Sequence, residues 1–285
     1  MVPGTVTGAS HLVHRDRVRL RRAPTTVSGV THAASAVVRR PYVAPTLLEI
    51  AEAPGAYVVP RHPSVVVGDG WVFLQLGPSM GAVQRIRVAE EELEAARHEV
   101  RSLAAARELS EVGWWVSELT PAPELGRRLG LEHRETLTAL ALERPFDVDG
   151  GFEVREVTTL DDYVTAQTID AVANDWPVAE RERYVEMWDV ARERFLMWLA
   201  LDDGRPVGMA RSAVAGDALV LIGGSVLPDA RGRGAYRSLV AARWRSATDR
   251  GLGALVTAAN TQSGPILTRL GFEPLGEIQI WVDGL

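Results

Sequence analysis

A short loop rich in glycine and arginine is the part of the chain most suited to chemistry. It follows the apolar segment Ala218–Val226, and residues 231–236 read Arg-Gly-Arg-Gly-Ala-Tyr before a stretch with helix-forming composition. Gly232 and Gly234 allow the backbone to turn tightly and to approach a ligand closely. At a helix N-terminus the exposed N–H groups of such a loop bind an anion, and a pyrophosphate fits well. Taken alone, the loop could equally be a surface turn without a ligand.

The amino-acid composition excludes several kinds of chemistry. The 285 residues include no cysteine, and each of the 31 basic residues is arginine, so thiol nucleophiles, Schiff-base lysines and the P-loop lysine are absent. All six histidines precede residue 134, which leaves the second half without a histidine base or metal ligand. We therefore predict no metal site. The arginine, alanine and glycine bias suggests a bacterial genome of high GC content.

Charge and hydropathy separate the first 44 residues from the rest. Seven arginines and a single acid lie within residues 1–45, whereas the whole chain has a formal net charge of −6. We predict a disordered basic tail for residues 1–44; a transit peptide or a nucleic-acid-binding arm are the alternatives. The acidic net charge argues against a nucleic-acid partner. No apolar run of about 18 residues occurs, so we predict no membrane span and a cytoplasmic protein.

Periodicity predicts alternating strands and helices on both sides of a polar, glycine-containing break at residues 147–151. Before the break we expect strands at 56–60, 64–76, 113–116 and 137–142, and helices at 89–109 and 123–129. After it we expect strands at 152–157, 195–201, 207–214, 218–226, 255–259 and 277–282, with helices at 160–173, 178–191, 236–250 and 263–270. These elements predict a mixed α/β layer fold.

The order of elements after residue 151 resembles the GNAT superfamily of acyl-CoA N-acyltransferases. The resemblance rests on a buried strand, the Arg-Gly-x-Gly loop, a helix, a strand ending at Asn260, a short helix and Gly271-Phe272. It implies a central, mostly antiparallel sheet with helices on both faces. It also implies acetyl-CoA as co-substrate, with a small-molecule or peptide amine as the other partner. A homodimer is expected as well.

The resemblance assigns roles to particular positions of this chain. The backbone of Val226 and Leu227 would pair with the pantetheine arm. The pyrophosphate would lie on the loop, and Asn260 and Ser263 would reach the pantetheine or the pyrophosphate; a strand-end cap is the alternative role for Asn260. The predicted cofactor-binding residues are therefore Val226, Leu227, Arg231, Gly232, Arg233, Gly234, Ala235, Tyr236, Asn260 and Ser263.

Two positions depart from the family pattern. The family usually has glycine or alanine where this chain has Tyr236, and a bulky side chain there must swing aside or cover the cofactor. The family commonly has a tyrosine, the acid that protonates the departing thiolate, where this chain has Leu267. Tyr236, Ser225 or water would have to replace that acid.

The mechanism implied is direct attack of an amine on the thioester, with a backbone N–H near Val226 polarising the carbonyl. A carboxylate must then serve as the base that takes the amine proton, since the second half of the chain has no histidine or cysteine. The candidates lie in the predicted helix-loop-helix, and the sequence does not choose among them: Asp170, Asp175, Glu180 and Glu182. Each of them could instead be an ordinary surface acid.

A weak internal repeat relates the two halves. Leu129-Gly130-Leu131-Glu132 matches Leu270-Gly271-Phe272-Glu273, and a helix, short strand and short helix precede both. Gly77-Pro78-Ser79-Met80-Gly81, before the first helix, lacks the Arg-Gly-x-Gly spacing. We therefore interpret residues 45–147 as a degenerate GNAT-like domain and residues 151–285 as the acyltransferase domain. Chance similarity is the alternative to the repeat, and a non-catalytic acyl-CoA-binding sensor or structural module is the alternative function.

Overall fold

Eleven strands join into one sheet in the computed structural model, which describes residues 44–58, 64–146 and 150–285. The first half contains α1 (Leu47–Glu52), α2 (Pro54–Val58), β1 (Val65–Val67), β2 (Val72–Gln75), β3 (Met80–Gln84), α3 (Leu93–Ala105), β4 (Glu111–Ser117), α4 (Leu125–Arg128) and β5 (Glu132–Leu142). The second half contains β6 (Glu153–Glu156), α5 (Leu160–Ala173), α6 (Arg181–Arg194), β7 (Leu196–Asp202), β8 (Arg205–Ala215), β9 (Ala218–Val226), α7 (Ala235–Asp249), β10 (Ala254–Ala259), α8 (Gly264–Arg269) and β11 (Glu273–Gly284). The predicted mixed α/β fold is confirmed.

The strand order is β1-β2-β3-β4-β11-β5-β10-β9-β8-β7-β6. β3 runs parallel to β4 and β9 runs parallel to β10, while the other neighbours are antiparallel, so the sheet is mostly antiparallel as expected. The same order of elements occurs twice: two helices, a three-stranded meander, a helix, a parallel strand, a short helix and a last strand. The last strands are exchanged between the two halves. β5 of the first half pairs with β10 of the second, and β11 of the second half pairs with β4 of the first.

Helices cover both faces of the sheet. Successive residues of a strand point to opposite faces. Leu219 and Leu221 of β9 therefore pack on the side of α7, while Ala218 and Val220 pack on the side of α1. By the same alternation, α1, α2, α5 and α6 share one face, and α3, α4, α7 and α8 share the other. Both faces of β9 are thus buried over its first four residues, 218–221, which explains why that stretch is continuously apolar.

Some predictions for the first half are wrong. Residues 56–58, predicted as part of a strand, belong to α2, which begins at Pro54, a residue well suited to a first helical turn. Gly77–Gly81 is not the counterpart of the Arg-Gly-x-Gly loop, because it includes the start of the unpredicted strand β3; the segment between β3 and the next helix is residues 85–89. The helix α1 was also not predicted. The predicted tail lies outside the described residues except for residue 44.

A buried carboxylate joins the two halves at the outer end of β11. Asp283 is 3% exposed, and both of its oxygens accept from Arg97 of α3 at 2.9 Å. Arg101, one turn further along α3, donates to Asp283 Oδ1 at 2.8 Å. Because β11 belongs to the second half and α3 to the first, this cluster fixes the exchanged strand in place.

We expect the folded protein to lose stability in alkaline solution because Tyr163 of α5 is buried. Burial raises the pKa of Tyr163 from 10.0 to about 12. The folded state therefore holds the proton that the unfolded state releases, so stability is complete below pH 10 and falls between pH 10 and 12. We expect Tyr163→Phe to remove about 2 kcal/mol of this loss. Urea unfolding at pH 8 and at pH 11.5 measures it, and equal losses in both proteins would contradict the assignment.

Candidate functional site

The sheet opens into a wedge between β9 and β10. These parallel strands pair only from Ala218–Val220 to Ala254–Val256 among the described residues, after which β10 continues beside β5. The register of β9 against β8 shifts between Leu221 and Gly223, which leaves Ile222 as a bulge. Residues 222–225 are half-buried, whereas the rest of β9 is buried. An extended ligand can therefore lie along this side of β9.

The Arg-Gly-x-Gly loop lies at the wide end of the wedge and leads into α7. Gly232 and Gly234 have φ angles of +74° and +109°, a left-handed conformation that strains other residues. Among the described residues, the backbone N–H groups of residues 232–237 have no protein acceptor. These N–H groups and the positive end of α7 form an arrangement that could accept an anion.

The two arginines of the loop contact protein groups. Arg231 donates from Nε to the carbonyl of Val226 at 3.0 Å and from Nη2 to the carbonyl of Ala173 at 2.8 Å. Arg233 forms two hydrogen bonds with Asp202 at 2.8 and 3.1 Å, and it lies over the ring of Phe152. Both side chains therefore stabilise the conformation of the loop. The backbone N–H groups are then the main hydrogen-bond donors that the loop could offer to an anion.

The side chain of Tyr236 lies against Gly224 of β9. A Cβ on Gly224 would come within 2.9 Å of the Tyr236 ring, so glycine at 224 makes room for this side chain. The guanidinium of Arg243 lies 5.7 Å from the centre of the ring, and Arg243 itself is fully buried. Burial lowers the pKa of Arg243, and the nearby Tyr236 opposes that shift. The Tyr236 ring therefore lies on Gly224, within the half-buried stretch of β9.

Several other predicted cofactor-binding residues already use their hydrogen-bonding groups within the protein. Leu227 donates its N–H to the carbonyl of Val207 at 2.9 Å, so that group faces β8. Asn260, at the end of β10, accepts through Oδ1 from the N–H groups of Gln262 and Ser263 and from the Ser263 hydroxyl, at 3.0, 3.0 and 3.1 Å. Asn260 is therefore a strand-end cap, the alternative role considered for it. Ala235 is buried in the first turn of α7.

Comparison with known proteins identifies this architecture. Residues 160–272 match the family model described as Acetyltransferase (GNAT) family. A GCN5-related N-acetyltransferase from Kribbella flavida superposes with a TM-score of 0.64 at 19% identity, over 84% of this chain and 95% of that one. The chain has a GNAT superfamily fold. A tandem GNAT protein from the clavulanic acid biosynthesis pathway aligns over 84% of this chain and 93% of that one, with a TM-score of 0.59 at 16% identity.

A further structure from Sphaerobacter thermophilus, also a GCN5-related N-acetyltransferase, has a TM-score of 0.58 at 15% identity, covering 75% of this chain and 76% of that one. No curated protein sequence matches the chain. The structural matches extend well beyond residues 160–272, and the tandem protein fits the preceding half as well. The GNAT fold thus accounts for the sheet on both sides of β11.

Among the described residues of the first half there is no counterpart of the Arg-Gly-x-Gly loop. Between β3 and α3, residues 85–89 read Arg-Ile-Arg-Val-Ala without glycine, and Arg85 has a φ of +50°. Three acids, Glu90–Glu92, form the 3-10 turn that leads into α3. Carboxylates at this helix end would repel a phosphate, which supports the description of this half as degenerate.

Among the catalytic candidates, three acids are exposed and one is not. Asp175, Glu180 and Glu182 are exposed, with Asp175 at a φ of +56°. Leu267 packs in the core beside α7, so the position of the usual GNAT tyrosine holds no polar group. Asp170 is 8% exposed and faces Ser225 of β9.

Asp170, Asn174 and Ser225 form a polar cluster beside the wedge. The Ser225 hydroxyl donates to Asp170 Oδ1 at 2.6 Å, and Asn174 Nδ2 contacts both Asp170 Oδ1 and Ser225 Oγ at 3.2 Å. The four-residue spacing of Asp170 and Asn174 places both on one face of α5. That spacing was visible in the sequence, but the approach of Ser225 was not. The described residues contain no group of side chains that could hold a metal ion, and no described helix is long and apolar enough to cross a membrane.

Proposed function

We propose that this chain is an N-acyltransferase that moves an acetyl group from acetyl-CoA to a primary amine. The observation that carries the proposal is the wedge between β9 and β10, which ends at a helix N-terminus with unpaired backbone N–H groups. A pantetheine arm extended along β9 would place the pyrophosphate on the loop and the thioester near the bulge at Ile222. Such alignment, with a backbone N–H directed at the thioester oxygen, is a large part of acyl-transfer catalysis.

Isothermal titration of acetyl-CoA and of CoA tests the binding step directly. We expect saturable binding of both ligands, since most contacts would involve the pantetheine and pyrophosphate rather than the acetyl group. Release of free thiol in the presence of primary amines then tests transfer. Binding without thiol release across an amine panel would favour the alternative, a non-catalytic CoA-binding sensor or structural module; the buried Leu267 favours that alternative.

We propose two further assignments on the same grounds. The division into a degenerate GNAT-like domain at residues 45–147 and an acyltransferase domain at residues 151–285 is supported by the repeated order of elements. The exchange of β5 and β11 implies that neither half folds alone. A homodimer and a cytoplasmic location stay predictions.

The acid that protonates the departing thiolate is proposed to be Tyr236. Its ring lies on the wedge side of α7 against Gly224, and the buried Arg243 guanidinium lies 5.7 Å from the ring centre. We expect Tyr236→Phe to lower kcat by about 100-fold, because it removes a proton donor while keeping the ring on Gly224 and over Arg243. Thiol-release kinetics and the acetyl-CoA Kd measure the effect. An unchanged kcat would assign the acid to water or Ser225.

A further inference from the structure

Asp170 is a buried carboxylate, with 8% of its surface exposed. Within the part of the chain that the structure describes, it takes part in no ion pair, and its side chain is bonded to the neutral Ser225 hydroxyl and the neutral Asn174 amide. Burying a charge is costly unless it is paired, and two neutral donors compensate it only in part. A site of this kind is completed by a positively charged ligand.

Ser225 connects this carboxylate to the wedge. It lies in the half-buried stretch of β9 that β10 leaves open, two residues after Gly223. Ser225 also lies opposite Met209, which packs with α5 and α6 rather than with α7. Asp170 is therefore on the opposite face of β9 from Tyr236 and Arg243. A ligand lying along β9 would have the carboxylate on one side and the buried guanidinium on the other.

We propose that Asp170, held by Ser225 and Asn174, binds the ammonium group of the acceptor and takes a proton from it. This inference rests on the proposed acyltransferase function and gives it a base and an acceptor class. The acceptors it selects are amines that are protonated in neutral solution, since only these carry the charge that Asp170 lacks. The exposed Asp175, Glu180 and Glu182 are not needed for this step.

The proposed step balances as follows. Asp170 takes one proton from the ammonium, which gives a neutral carboxylic acid and a free amine. The amine nitrogen attacks the thioester carbonyl carbon and forms the C–N bond, and the C–S bond then breaks. The second proton leaves the nitrogen to water as the amide forms. The departing thiolate gains a proton from Tyr236, which regains one from water. Asp170 returns its proton to solvent, so no oxidant, reductant or metal is required.

Binding of a simple ammonium ion tests the subsite without turnover. Saturation-transfer NMR with n-butylammonium is carried out on the full chain saturated with CoA, for the wild type and for Asp170→Asn. The asparagine keeps the shape and one acceptor oxygen but removes the charge. Asp189→Asn is the matched control, because Asp189 lies on α6 with a side chain that is 78% exposed.

We expect saturable butylammonium binding in the wild type and in Asp189→Asn, and at least tenfold weaker binding in Asp170→Asn. Absent binding in the CoA-saturated wild type would overturn the proposal, as would equal binding in all three proteins. Retained CoA affinity in every variant shows that such a failure concerns the subsite alone. Loss of CoA binding in the wild type would instead count against the acyltransferase function.

Turnover measurements distinguish whether Asp170 acts as the base or only attracts the charged amine. With an alkylamine, which must lose a proton before attack, kcat/KM is expected to fall by about 100-fold or more in Asp170→Asn. With aniline, which is already unprotonated at neutral pH, the expected loss is only about threefold, because no proton has to be removed first. Equal losses with both amines would overturn the assignment of Asp170 as the base.

Discussion

Replacing Gly232 by aspartate is expected to weaken acetyl-CoA binding by about 100-fold, whereas asparagine at the same position leaves affinity within about threefold of the wild type. Two charges about 5 Å apart near a protein surface interact by about 3 kcal/mol, which corresponds to that factor. The aspartate places its carboxylate beside the site proposed for the pyrophosphate. Asparagine has nearly the same size and lacks the charge, so the difference between the two variants isolates electrostatic repulsion.

Gly232 is a better position for this test than Gly234. Both have positive φ angles, but a Cβ at Gly232 meets no atom within 4 Å, whereas one at Gly234 would lie 2.3 Å from the carbonyl oxygen of Gly150. Substitution at Gly234 would therefore disturb the fold as well as the site. Aspartate and asparagine tolerate the left-handed region better than other residues, which keeps the strain at Gly232 small and similar in both variants.

Isothermal titration of acetyl-CoA into the two variants gives the affinities, and thermal unfolding without ligand checks that both fold equally well. Increasing the salt concentration should reduce the difference, since exposed charges are screened. Equal affinities for the aspartate and asparagine variants would show that the pyrophosphate does not bind at this loop, whatever the effect of either variant on folding.

Asp283→Asn is expected to lower the free energy of unfolding by about 3 kcal/mol. Removing the charge of a buried carboxylate leaves its partners uncompensated, which costs 3–5 kcal/mol when all groups are buried. Arg97 and Arg101 are 22% and 41% exposed, so water compensates them in part and the lower end applies. The asparagine keeps one acceptor oxygen, which separates the loss of charge from the loss of a contact.

Urea unfolding of the wild type and Asp283→Asn measures this difference. Glu124→Gln is the matched control, because Glu124 and Arg127 form an ion pair whose side chains are 61% and 73% exposed. Exposed pairs contribute little, so the control should stay within about 0.5 kcal/mol of the wild type. Similar unfolding midpoints for both variants would mean that the Arg97–Asp283–Arg101 cluster does not hold β11 against α3.

The sequence predicted the elements that carry local signals. Composition alone predicts these elements. The apolar run predicts the strand β9, the glycines before α7 predict a loop and a helix start, and Gly271 predicts the end of α8. These local signals lie next to one another in the chain, so the loop proposed to bind the pyrophosphate could be recognised from them. The strand predicted at residues 56–58 was wrong because tertiary contacts overrode local propensity. Ala-Tyr-Val favours a strand locally, but in the folded chain it forms part of α2.

Contacts between distant residues could not be predicted in the same way. Asp170 and Ser225 are 55 positions apart, and nothing in the sequence distinguishes the buried acid from the other three candidate bases. Asp283 and Arg97 are 186 positions apart. The exchange of β5 and β11 likewise depends on which edges are free once both meanders have formed, and no local pattern encodes that pairing.

The exchange of last strands sets an order of events during synthesis on the ribosome. β4 ends at residue 117, but its partner β11 begins at residue 273, so the strand edge of β4 waits while the whole second half is translated. At about 5–20 residues per second this interval lasts roughly ten to thirty seconds. An unpaired edge of that kind is prone to pair with other chains. We therefore expect the nascent first half to depend on chaperones, and the yield of folded protein to fall sharply when β11 is deleted.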